Sequence, residues 1–264
     1  MRYSKSEIDQ FSHEALVQGM CLLPGHFPAE KLAKWNEKFT PRLEKHIQAE
    51  GGKENRGSNR YYVTLPFTEP FADEEIFADT DVLAIVENLA GKDFVMCQLA
   101  SDTPLKGSDY QVLHRDTPPL FPELNAETPP FQLAVNFPLV DVTEENGPLE
   151  TTRGTHLMTK EESLKKVETG EIKIERILMK AGDVMIRDVR SIHRGTPNNT
   201  DPPRPMCVIG YSRRWLFRPE VSIRIPRDTW EKLSEASRHM LRFNPRVESL
   251  DEIDTTEIYQ AFAY

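Results

Sequence analysis

The amino-acid sequence predicts a mainly β protein with flanking α-helices, built as a β-sandwich or β-barrel. From Phe94 to Trp215 the chain is a series of short apolar runs separated by turns that contain glycine, proline or asparagine, which is typical of two-layered or closed β folds. Helix-spaced apolar residues lie mainly before this region. The 264 residues can bury a sizeable core, and all-β domains of this size occur undivided, so we expect one domain over residues 1–264.

The N-terminal segment predicts a helix, a strand and a second helix. Ser4 or Ser6 can cap a short helix that ends near His13. Residues 17–23 form an apolar run that ends at a Pro-Gly turn and predicts a strand. Pro28 then opens a longer helix, because apolar side chains recur after it at helical spacing. Those side chains are Leu32, Trp35, Phe39 and Leu43.

A polar loop separates this segment from the next elements. Residues 50–60 are rich in glycine, asparagine, lysine and glutamate, which favours a loop. Residues 61–67 carry aromatic and β-branched side chains and predict a strand. Residues 81–90 predict a helix that Gly91 closes.

The β core is predicted from alternating or continuous apolar runs. The expected strands are residues 94–100, 108–116, 131–140, 148–153, 172–179, 184–188 and 206–215. The runs at 172–179 and 184–188 flank a turn at Gly182, so we expect them to form a hairpin. Residues 117–130 contain five prolines and therefore predict a loop directly after Asp116.

Two further helical segments are expected. Residues 157–170 are highly charged and predict a helical, lid-like insertion between strands. Asp228 can cap an amphipathic helix near the end of the chain. The apolar face of that helix would carry Trp230, Leu233 and Met240 or Leu241.

Composition limits the classes of function and location. The net charge of −9 argues against a nucleic-acid partner, because phosphate binding requires a basic surface. The N-terminus MRYSKSEIDQF lacks the apolar centre of a signal peptide, and no apolar run approaches the roughly 20 residues of a membrane span. Cys21, Cys97 and Cys207 each lie in an apolar run, which favours buried thiols in a reducing compartment. We therefore expect a cytoplasmic protein without a membrane partner.

Two distant segments carry side chains with metal-binding chemistry. In the first, a β-strand would point the imidazole of His114 and the carboxylate of Asp116 to the same side. The second supplies His193 and, further along, Arg204. Two histidines and one carboxylate on a rigid sheet form the facial triad that binds non-haem Fe(II) and leaves coordination positions open. An arginine close by offers a planar, two-pronged donor to a small carboxylate cosubstrate.

These motifs, in this order, resemble the phytanoyl-CoA dioxygenase (PhyH-like) family of Fe(II)/2-oxoglutarate-dependent oxygenases. The matching stretches are LHRD at 113–116, VDVTEENGPLETTRGTH at 140–156, AGDVMIRDVRSIHRG at 181–195, and Arg204. The opening SEIDQF…EALVQGMCLLPGHFPAEKL is similar too, so the likeness covers most of the chain. A His-x-Asp pair alone is a weak signal, whereas the ordered set is specific.

The resemblance implies a double-stranded β-helix, which is a jelly roll of the cupin-like type, over residues 93–218. Residues 1–92 would supply the N-terminal helices and the loops at the substrate mouth, and residues 219–264 a C-terminal helical extension.

The resemblance also implies roles for individual residues. His114, Asp116 and His193 would bind Fe(II), and Arg204 would bind the distal carboxylate of 2-oxoglutarate. Related enzymes place amides on 2-oxoglutarate near the positions of Gln98 and Gln111. Hydrogen-bonded core amides would explain these two residues equally well.

The implied reaction uses O2 to oxidise an unactivated C–H bond of a small molecule, most simply by hydroxylation, while 2-oxoglutarate is decarboxylated to succinate. The carboxylate of Asp116 disfavours halogenation, since related halogenases carry a small residue at this position. The acidic charge gives no support for a large CoA-binding patch, so we expect a natural product or an amino-acid-derived metabolite as substrate. A homodimer is common among such relatives.

Two other classes of protein stay open. A silent β-barrel binding protein would keep the fold without the reaction, and the intact set of ligands argues against it. A cupin-like metalloenzyme that uses no 2-oxoglutarate would be favoured if Arg204 pairs within the protein. The sequence also departs from the family at Arg204-Pro205-Met206, where many such enzymes have Arg-x-Ser and use the hydroxyl to help bind the cosubstrate.

Overall fold

A computed structural model describes residues 1–49, 56–124, 126–216 and 222–250. Its helices are α1 Lys5–Gln18, α2 Ala29–Ala49, α3 Glu74–Phe77, α4 Thr80–Ala90, α5 Lys160–Glu168, α6 Arg227–Lys232 and α7 Glu235–Met240, with a 3-10 turn at Thr155–Leu157. Its strands are β1 Met20–Leu23, β2 Arg60–Thr64, β3 Val95–Pro104, β4 Gln132–Pro138, β5 Leu149–Thr152, β6 Ile174–Ile177, β7 Val184–Asp188, β8 His193–Gly195, β9 Met206–Ser212, β10 Ile225–Pro226 and β11 Arg246–Val247.

The strands form two main antiparallel sheets. The larger has the order β1-β7-β4-β9-β3-β2, and the smaller has the order β6-β5-β8. From β4 onward the chain crosses repeatedly between the sheets, so strands adjacent in space are distant in sequence. That connectivity is the jelly roll, as expected. A short parallel pair, β10 with β11, lies outside both sheets.

Helices α1 to α4 and α7 cover the outer face of the larger sheet, and their apolar side chains join its main core. Ser4 caps α1 and shares reciprocal hydrogen bonds with Glu7, as a capping box does. The apolar stripe of α2 is buried as predicted, and the Trp35 ring packs edge-on against Phe71 at 5.1 Å and Phe137 at 5.5 Å. Because Phe137 belongs to β4, this contact joins the helical layer to the sheet.

The inner face of the larger sheet lies on the side of the candidate site. Along each strand alternate side chains point to opposite faces. In β9, Cys207, Ile209 and Tyr211 join the core beneath the helices, whereas Val208 belongs to a separate apolar cluster. The members of this inner cluster are Tyr62, Ala100, Ala134, Val189 and Val208.

α1 is longer than predicted. It continues past His13 to Gln18 and ends at Gly19, whose φ of +86° favours glycine. A side chain at this position would also overlap the Ser191 hydroxyl and the His156 ring. The following strand therefore begins at Met20 rather than residue 17.

The predicted strand over residues 108–116 is wrong as a regular strand. Tyr110 and Val112 suggested it, but they are 49% and 72% exposed and join no core. Only His114 forms a bridge, to His193 of β8. The segment thus occupies the position of a fourth strand in the smaller sheet through isolated backbone bonds.

The predicted hairpin between residues 172–179 and 184–188 is also wrong. β6 pairs with β5 in the smaller sheet, whereas β7 lies between β1 and β4 in the larger one. The turn at Gly182, with a φ of +110°, carries the chain from one sheet to the other. A turn between two apolar runs does not determine whether those runs pair with each other.

The single C-terminal helix predicted from Asp228 is two short helices. The hydroxyl of Ser234 accepts a hydrogen bond from the backbone N–H of Ser237 and so starts α7. No side chain caps α6, which begins after Pro226. The predicted loop at 50–60 and the C-terminal extension fall partly on residues 50–55, 217–221 and 251–264, outside the described residues. No helix in the described ranges has the length and apolar character of a membrane span.

Candidate active site

The backbone places the two candidate histidine ligands side by side. The N–H of His114 donates to the carbonyl of His193 at 3.0 Å, and the N–H of His193 donates back to the carbonyl of His114 at 3.1 Å. The centroids of the two rings are 4.4 Å apart. Because directly bridged residues project to the same side of a sheet, the two imidazoles lie side by side on one face.

Asp116 completes a cluster with these imidazoles. Its Oδ1 lies 3.7 Å from Nε2 of His114 and 3.4 Å from Nε2 of His193. One ligand atom from each residue falls within 4.8 Å of the others. The structure therefore brings together the three residues that the sequence proposed as metal ligands, although residues 108–116 are not a regular strand.

Each imidazole is held in one tautomer by its own backbone. Nδ1 of His114 is 2.8 Å from the carbonyl of Val112, and Nδ1 of His193 is 2.9 Å from the carbonyl of Ser191. A carbonyl only accepts, so each Nδ1 carries the proton and each Nε2 presents a lone pair to the cluster. This arrangement suits a metal, which requires neutral imidazole ligands.

The electrostatics keep the cluster deprotonated. Burial, followed by the neighbouring His193, lowers the pKa of His114 to about 4. Burial acts to raise the pKa of Asp116, but the guanidinium of Arg187 and the two imidazoles hold it well below its usual range. At neutral pH the site thus offers a neutral His114 and an anionic Asp116.

Sequence reasoning missed Arg187. It lies on the inner face of β7, and its Nη2 donates to Oδ2 of Asp116 at 2.6 Å. Its Nε donates to Oδ1 of Asn136 at 3.3 Å. Asn136 lies two residues after Ala134 in β4, so its side chain points to the same inner face as Arg187. Arg187 lies within the family-like stretch at 181–195, but the motif there assigns a role only to His193.

Arg204 enters the interior just before β9. It is 3% exposed, and its Nη2 donates to the carbonyl of Gly147 at 2.6 Å. Its Nε is buried and has no hydrogen-bond partner among the described residues. Burial, then the positive charge of Arg60, lowers the pKa of Arg204 to about 10. The internal salt bridge that would compete with a cosubstrate role is not formed within these residues.

Arg60 is a second buried arginine that the sequence did not reveal. Its Nη1 pairs with Asp102 at 2.8 Å, and its Nη2 donates to the carbonyl of Thr196 at 2.7 Å. A side chain at Gly195, two residues after His193, would overlap the Arg60 guanidinium. The glycine therefore makes room for a cation that spans from the larger sheet to the smaller one. Arg60 follows a polar loop, which hid its interior position.

The two predicted cosubstrate amides are both engaged with the protein. Gln98 lies on β3 opposite Gly210 and donates to the Tyr62 hydroxyl. Gln111 accepts from the N–H of Gly195 at 2.9 Å and donates to the carbonyl of Arg56 at 3.1 Å. In this arrangement Gln111 ties the His-x-Asp segment to β8. A role of either amide in 2-oxoglutarate binding stays a prediction.

A buried ion network anchors the proline-rich loop beside the cluster. Glu127 of that loop contacts Arg115 at 2.6 Å and Arg190 at 3.2 Å. Arg190 also pairs with the buried carboxylate of Asp188 at 2.7 Å. Arg190 therefore forms ion pairs within the protein on both sides of its guanidinium.

With this geometry in place, comparison with known proteins decides the family. The model of the phytanoyl-CoA dioxygenase (PhyH) family matches residues 16–206, which include the cluster, β7 and Arg204. The chain belongs to the phytanoyl-CoA dioxygenase family. Membership makes this PhyH protein an Fe(II)/2-oxoglutarate-dependent dioxygenase, and the resemblance inferred from the motifs is confirmed.

Similar proteins agree with the family assignment. The "multifunctional dioxygenase ausE" of Penicillium brasilianum is 25% identical over 264 residues, covering 92% of this chain and 85% of that protein. The crystal structure of the epimerase SnoN with Fe3+, alpha ketoglutarate and nogalamycin RO shares 19% identity at a TM-score of 0.58, covering 80% of this chain and 85% of that one. HygX from Streptomyces hygroscopicus, with nickel, 2-oxoglutarate and hygromycin B bound, shares 17% at 0.58, covering 81% and 89%. At these identities the two structures confirm the jelly-roll fold.

Proposed function

We propose that this PhyH-family enzyme binds Fe(II) through His114, Asp116 and His193 and oxidises a small organic molecule with 2-oxoglutarate and O2. The observation that carries the proposal is the convergence of two imidazole Nε2 atoms and one carboxylate oxygen within 4.8 Å. The facial arrangement of two histidines and a carboxylate is typical of non-haem Fe(II). When bound, the metal would supply the activation of O2 that oxidation of an unactivated C–H bond requires.

The residues around the cluster hold the three ligands in an orientation and charge state that favour metal binding, even in the metal-free protein. Backbone carbonyls orient both imidazoles, and the Arg187 guanidinium keeps Asp116 anionic. The two imidazoles are buried, which shields them from bulk water, whereas the side chain of Asp116 is partly exposed. Ligands that need no reorganisation lower the cost of binding the metal.

Arg204 is our candidate for the 2-oxoglutarate carboxylate. A buried guanidinium with an unpartnered Nε is energetically unfavourable until an anion binds. We infer that Arg60 supports it where the hydroxyl of an Arg-x-Ser motif is missing, since its charge acts on Arg204. Asp102 neutralises one of the two guanidinium groups. The remaining positive charge matches one carboxylate.

The substrate is best sought among small natural products. Alanine, valine and tyrosine side chains form the apolar cluster on the inner face of the larger sheet, and ligand cavities are mostly apolar with few polar groups. The SnoN and HygX structures contain nogalamycin RO and hygromycin B, which makes a natural product a reasonable first class to test. Hydroxylation with decarboxylation of 2-oxoglutarate to succinate is the simplest outcome, and the presence of Asp116 argues against halogenation.

An anaerobic titration with Fe(II) and 2-oxoglutarate tests the proposal. A weak visible charge-transfer band should appear only when both are present. The His193→Ala variant should lose iron and the band, whereas His13→Ala, an exposed histidine of α1, should retain both. Succinate formation by His193→Ala at near the wild-type rate would refute the ligand assignment.

The alternative hypothesis, a cupin-like metalloenzyme that uses no 2-oxoglutarate, predicts bound iron without this band. That hypothesis requires an ion pair of Arg204 within the protein. The described residues provide the carbonyl of Gly147 rather than an acidic partner. O2 consumption that does not depend on added 2-oxoglutarate would favour it. Bound iron with no O2 consumption would favour a silent binding protein.

We also propose one domain over residues 1–264 and action in the cytoplasm, both of which the composition favours. A homodimer is proposed by analogy with related enzymes. Cys21 and Cys207 are buried free thiols whose pKa values are raised by burial, which is compatible with a reducing compartment.

A further inference from the structure

Each of the three clustered side chains has its second polar atom occupied by the protein. The two imidazoles use carbonyls two residues before them, Val112 for His114 and Ser191 for His193. Those contacts are local to the chain. Asp116 differs, because its second oxygen is held by a residue from another sheet, Arg187.

The position of Arg187 is itself fixed from two sides. It pairs with Ala134 of β4 and Met20 of β1 in the larger sheet, so its side chain starts from the inner face. Nε then donates to Asn136 while Nη2 donates to Oδ2 of Asp116. Two bonds from one planar group leave the guanidinium little freedom to rotate.

A carboxylate can bind a metal through one oxygen or through two. In the second mode Asp116 would take one of the positions that cosubstrate, substrate and O2 need. A charge-assisted hydrogen bond of 2.6 Å on Oδ2 opposes that mode, because the oxygen would have to exchange its bond to Arg187 for one to the metal. Oδ1, which faces both Nε2 atoms, remains for the metal.

We propose that Arg187, oriented by Asn136, is a positioning residue that makes Asp116 a one-oxygen ligand and thereby keeps three coordination positions open. The proposal rests on the metal site described under Proposed function. It assigns to β7 and β4 a role in coordination number, in addition to their role in the sheet. Partners of this kind behind a metal ligand typically affect metal affinity by about 10- to 100-fold.

Mn(II) is a suitable probe, since it is paramagnetic and is bound by the same kinds of ligand. Its dissociation constant can be measured by electron paramagnetic resonance, and line broadening in 17O-enriched water counts the waters on the ion. The variants are Arg187→Met, which removes the guanidinium, Arg187→Lys, which retains the charge, and Asn136→Ala, which removes the acceptor of Nε. Arg194→Met is the matched control, because Arg194 follows His193 directly but bonds to Glu150 instead.

The wild-type protein and Arg194→Met should bind Mn(II) with equal affinity and three bound waters. Arg187→Met should bind roughly 10- to 100-fold more weakly and retain fewer waters, as Asp116 takes a second position. Arg187→Lys should restore part of the affinity and the water count, and Asn136→Ala should show a smaller loss. If circular dichroism shows that Arg187→Met does not fold, Arg187→Lys and Asn136→Ala still test the proposal.

An unchanged water count and affinity in the folded Arg187 variants would overturn the positioning role while leaving the metal site intact. Failure of the wild-type protein to bind Mn(II) or Fe(II) would overturn the metal site and, with it, this inference. An equally large loss of Mn(II) affinity in Arg194→Met would also overturn the positioning role of Arg187. The loss would then follow from removing any arginine near the site.

Discussion

At the scale of single residues, replacing Arg204 should weaken the binding of 2-oxoglutarate without weakening the binding of the metal. The Arg204 guanidinium is buried before β9 and donates a hydrogen bond to Gly147 rather than to any of the three clustered ligands. Replacing it with Lys or Ala should raise the dissociation constant of 2-oxoglutarate about 10- to 100-fold, because a charge-assisted hydrogen bond contributes about 1.5–3 kcal/mol. Titration of the Fe(II) charge-transfer band with 2-oxoglutarate measures this.

The same titration contains its own controls. Fe(II) affinity without 2-oxoglutarate should stay within about twofold of wild type in the Arg204 variants, a change smaller than 0.5 kcal/mol. Arg60→Met should weaken 2-oxoglutarate binding as well, if the second guanidinium supports the first. An unchanged 2-oxoglutarate affinity in Arg204→Ala would remove this residue from the cosubstrate site.

The single residue His156 should contribute to the pH dependence of the free energy of unfolding. Burial lowers its pKa from the ordinary value of about 6.5. Above that pH the imidazole is neutral in both folded and unfolded states. As the pH falls below 6.5, the unfolded chain takes up a proton that the folded protein resists, so stability is lost.

His156→Gln should therefore lose less free energy of unfolding between pH 6.5 and pH 5 than the wild-type protein does. Urea denaturation at both pH values, with chelator present to keep the protein metal-free, measures the difference. His114, whose pKa is also lowered, contributes equally to both proteins and cancels. His13→Gln is the control, as that side chain is exposed. Equal pH dependence in all three proteins would contradict the prediction.

At the residue scale, the sequence identified candidate residues where a motif existed. His114, Asp116, His193 and Arg204 stand in stretches whose order is informative, and the structure brings the first three together. Arg60 lies outside these stretches, and Arg187 lies within the one at 181–195 without a role that the motif assigns to it. Their positions depend on which strands are neighbours and on a glycine at 195, and neither fact can be read from the sequence near them.

At the scale of elements, the proline-rich loop after Asp116 is held by charge rather than by an apolar core. Glu127 is buried between the guanidinium groups of Arg115 and Arg190. Removing one partner of a buried ion pair leaves the other charges uncompensated and typically costs about 3–5 kcal/mol. Glu127→Gln should therefore destabilise the protein by an amount in that range.

Two measurements test this anchor. Urea denaturation gives the loss of stability, and limited proteolysis should cut the loop faster in Glu127→Gln than in the wild-type protein. Glu123→Gln is the matched control, because Glu123 is an exposed carboxylate in the same loop. Similar proteolysis rates for both variants would show that the ion network does not hold the loop.

Elements were predictable where burial is periodic and local. The apolar stripe of α2 and the alternate residues Leu133, Val135 and Phe137 of β4 follow the expected patterns, because they all face the main core. Residues 108–116 failed for the opposite reason, since Tyr110 and Val112 are exposed. The hairpin around Gly182 failed because strand pairing in a jelly roll is a property of the whole chain.

At the scale of the molecule, the two faces of the larger sheet have different roles. The outer face stabilises the fold, and the inner face carries residues of the candidate metal site. The outer face packs against the helices, and the inner face carries Arg187 and the small apolar cluster. Side chains of one strand serve both faces in alternation. A change on the outer face should therefore alter the free energy of unfolding without altering the geometry of the metal ligands.

Trp35 offers the clearest test of that division. Its ring is 1% exposed and joins α2 to Phe71 and to Phe137 of β4. Trp35→Ala should lower the free energy of unfolding by about 3–5 kcal/mol, since it leaves a large cavity. At low temperature, where the variant is still folded, its affinity for Mn(II) should stay within about twofold of wild type.

Trp215→Ala is the control for the loss of a tryptophan, because that side chain is 57% exposed and should contribute little to stability. Urea denaturation followed by circular dichroism compares the three proteins, and electron paramagnetic resonance compares their Mn(II) affinities. A strong loss of metal affinity in folded Trp35→Ala would mean that the outer layer determines ligand geometry through the sheet. The metal ligands would then depend on the helical layer as well as on Arg187, and the division between the two faces would be wrong.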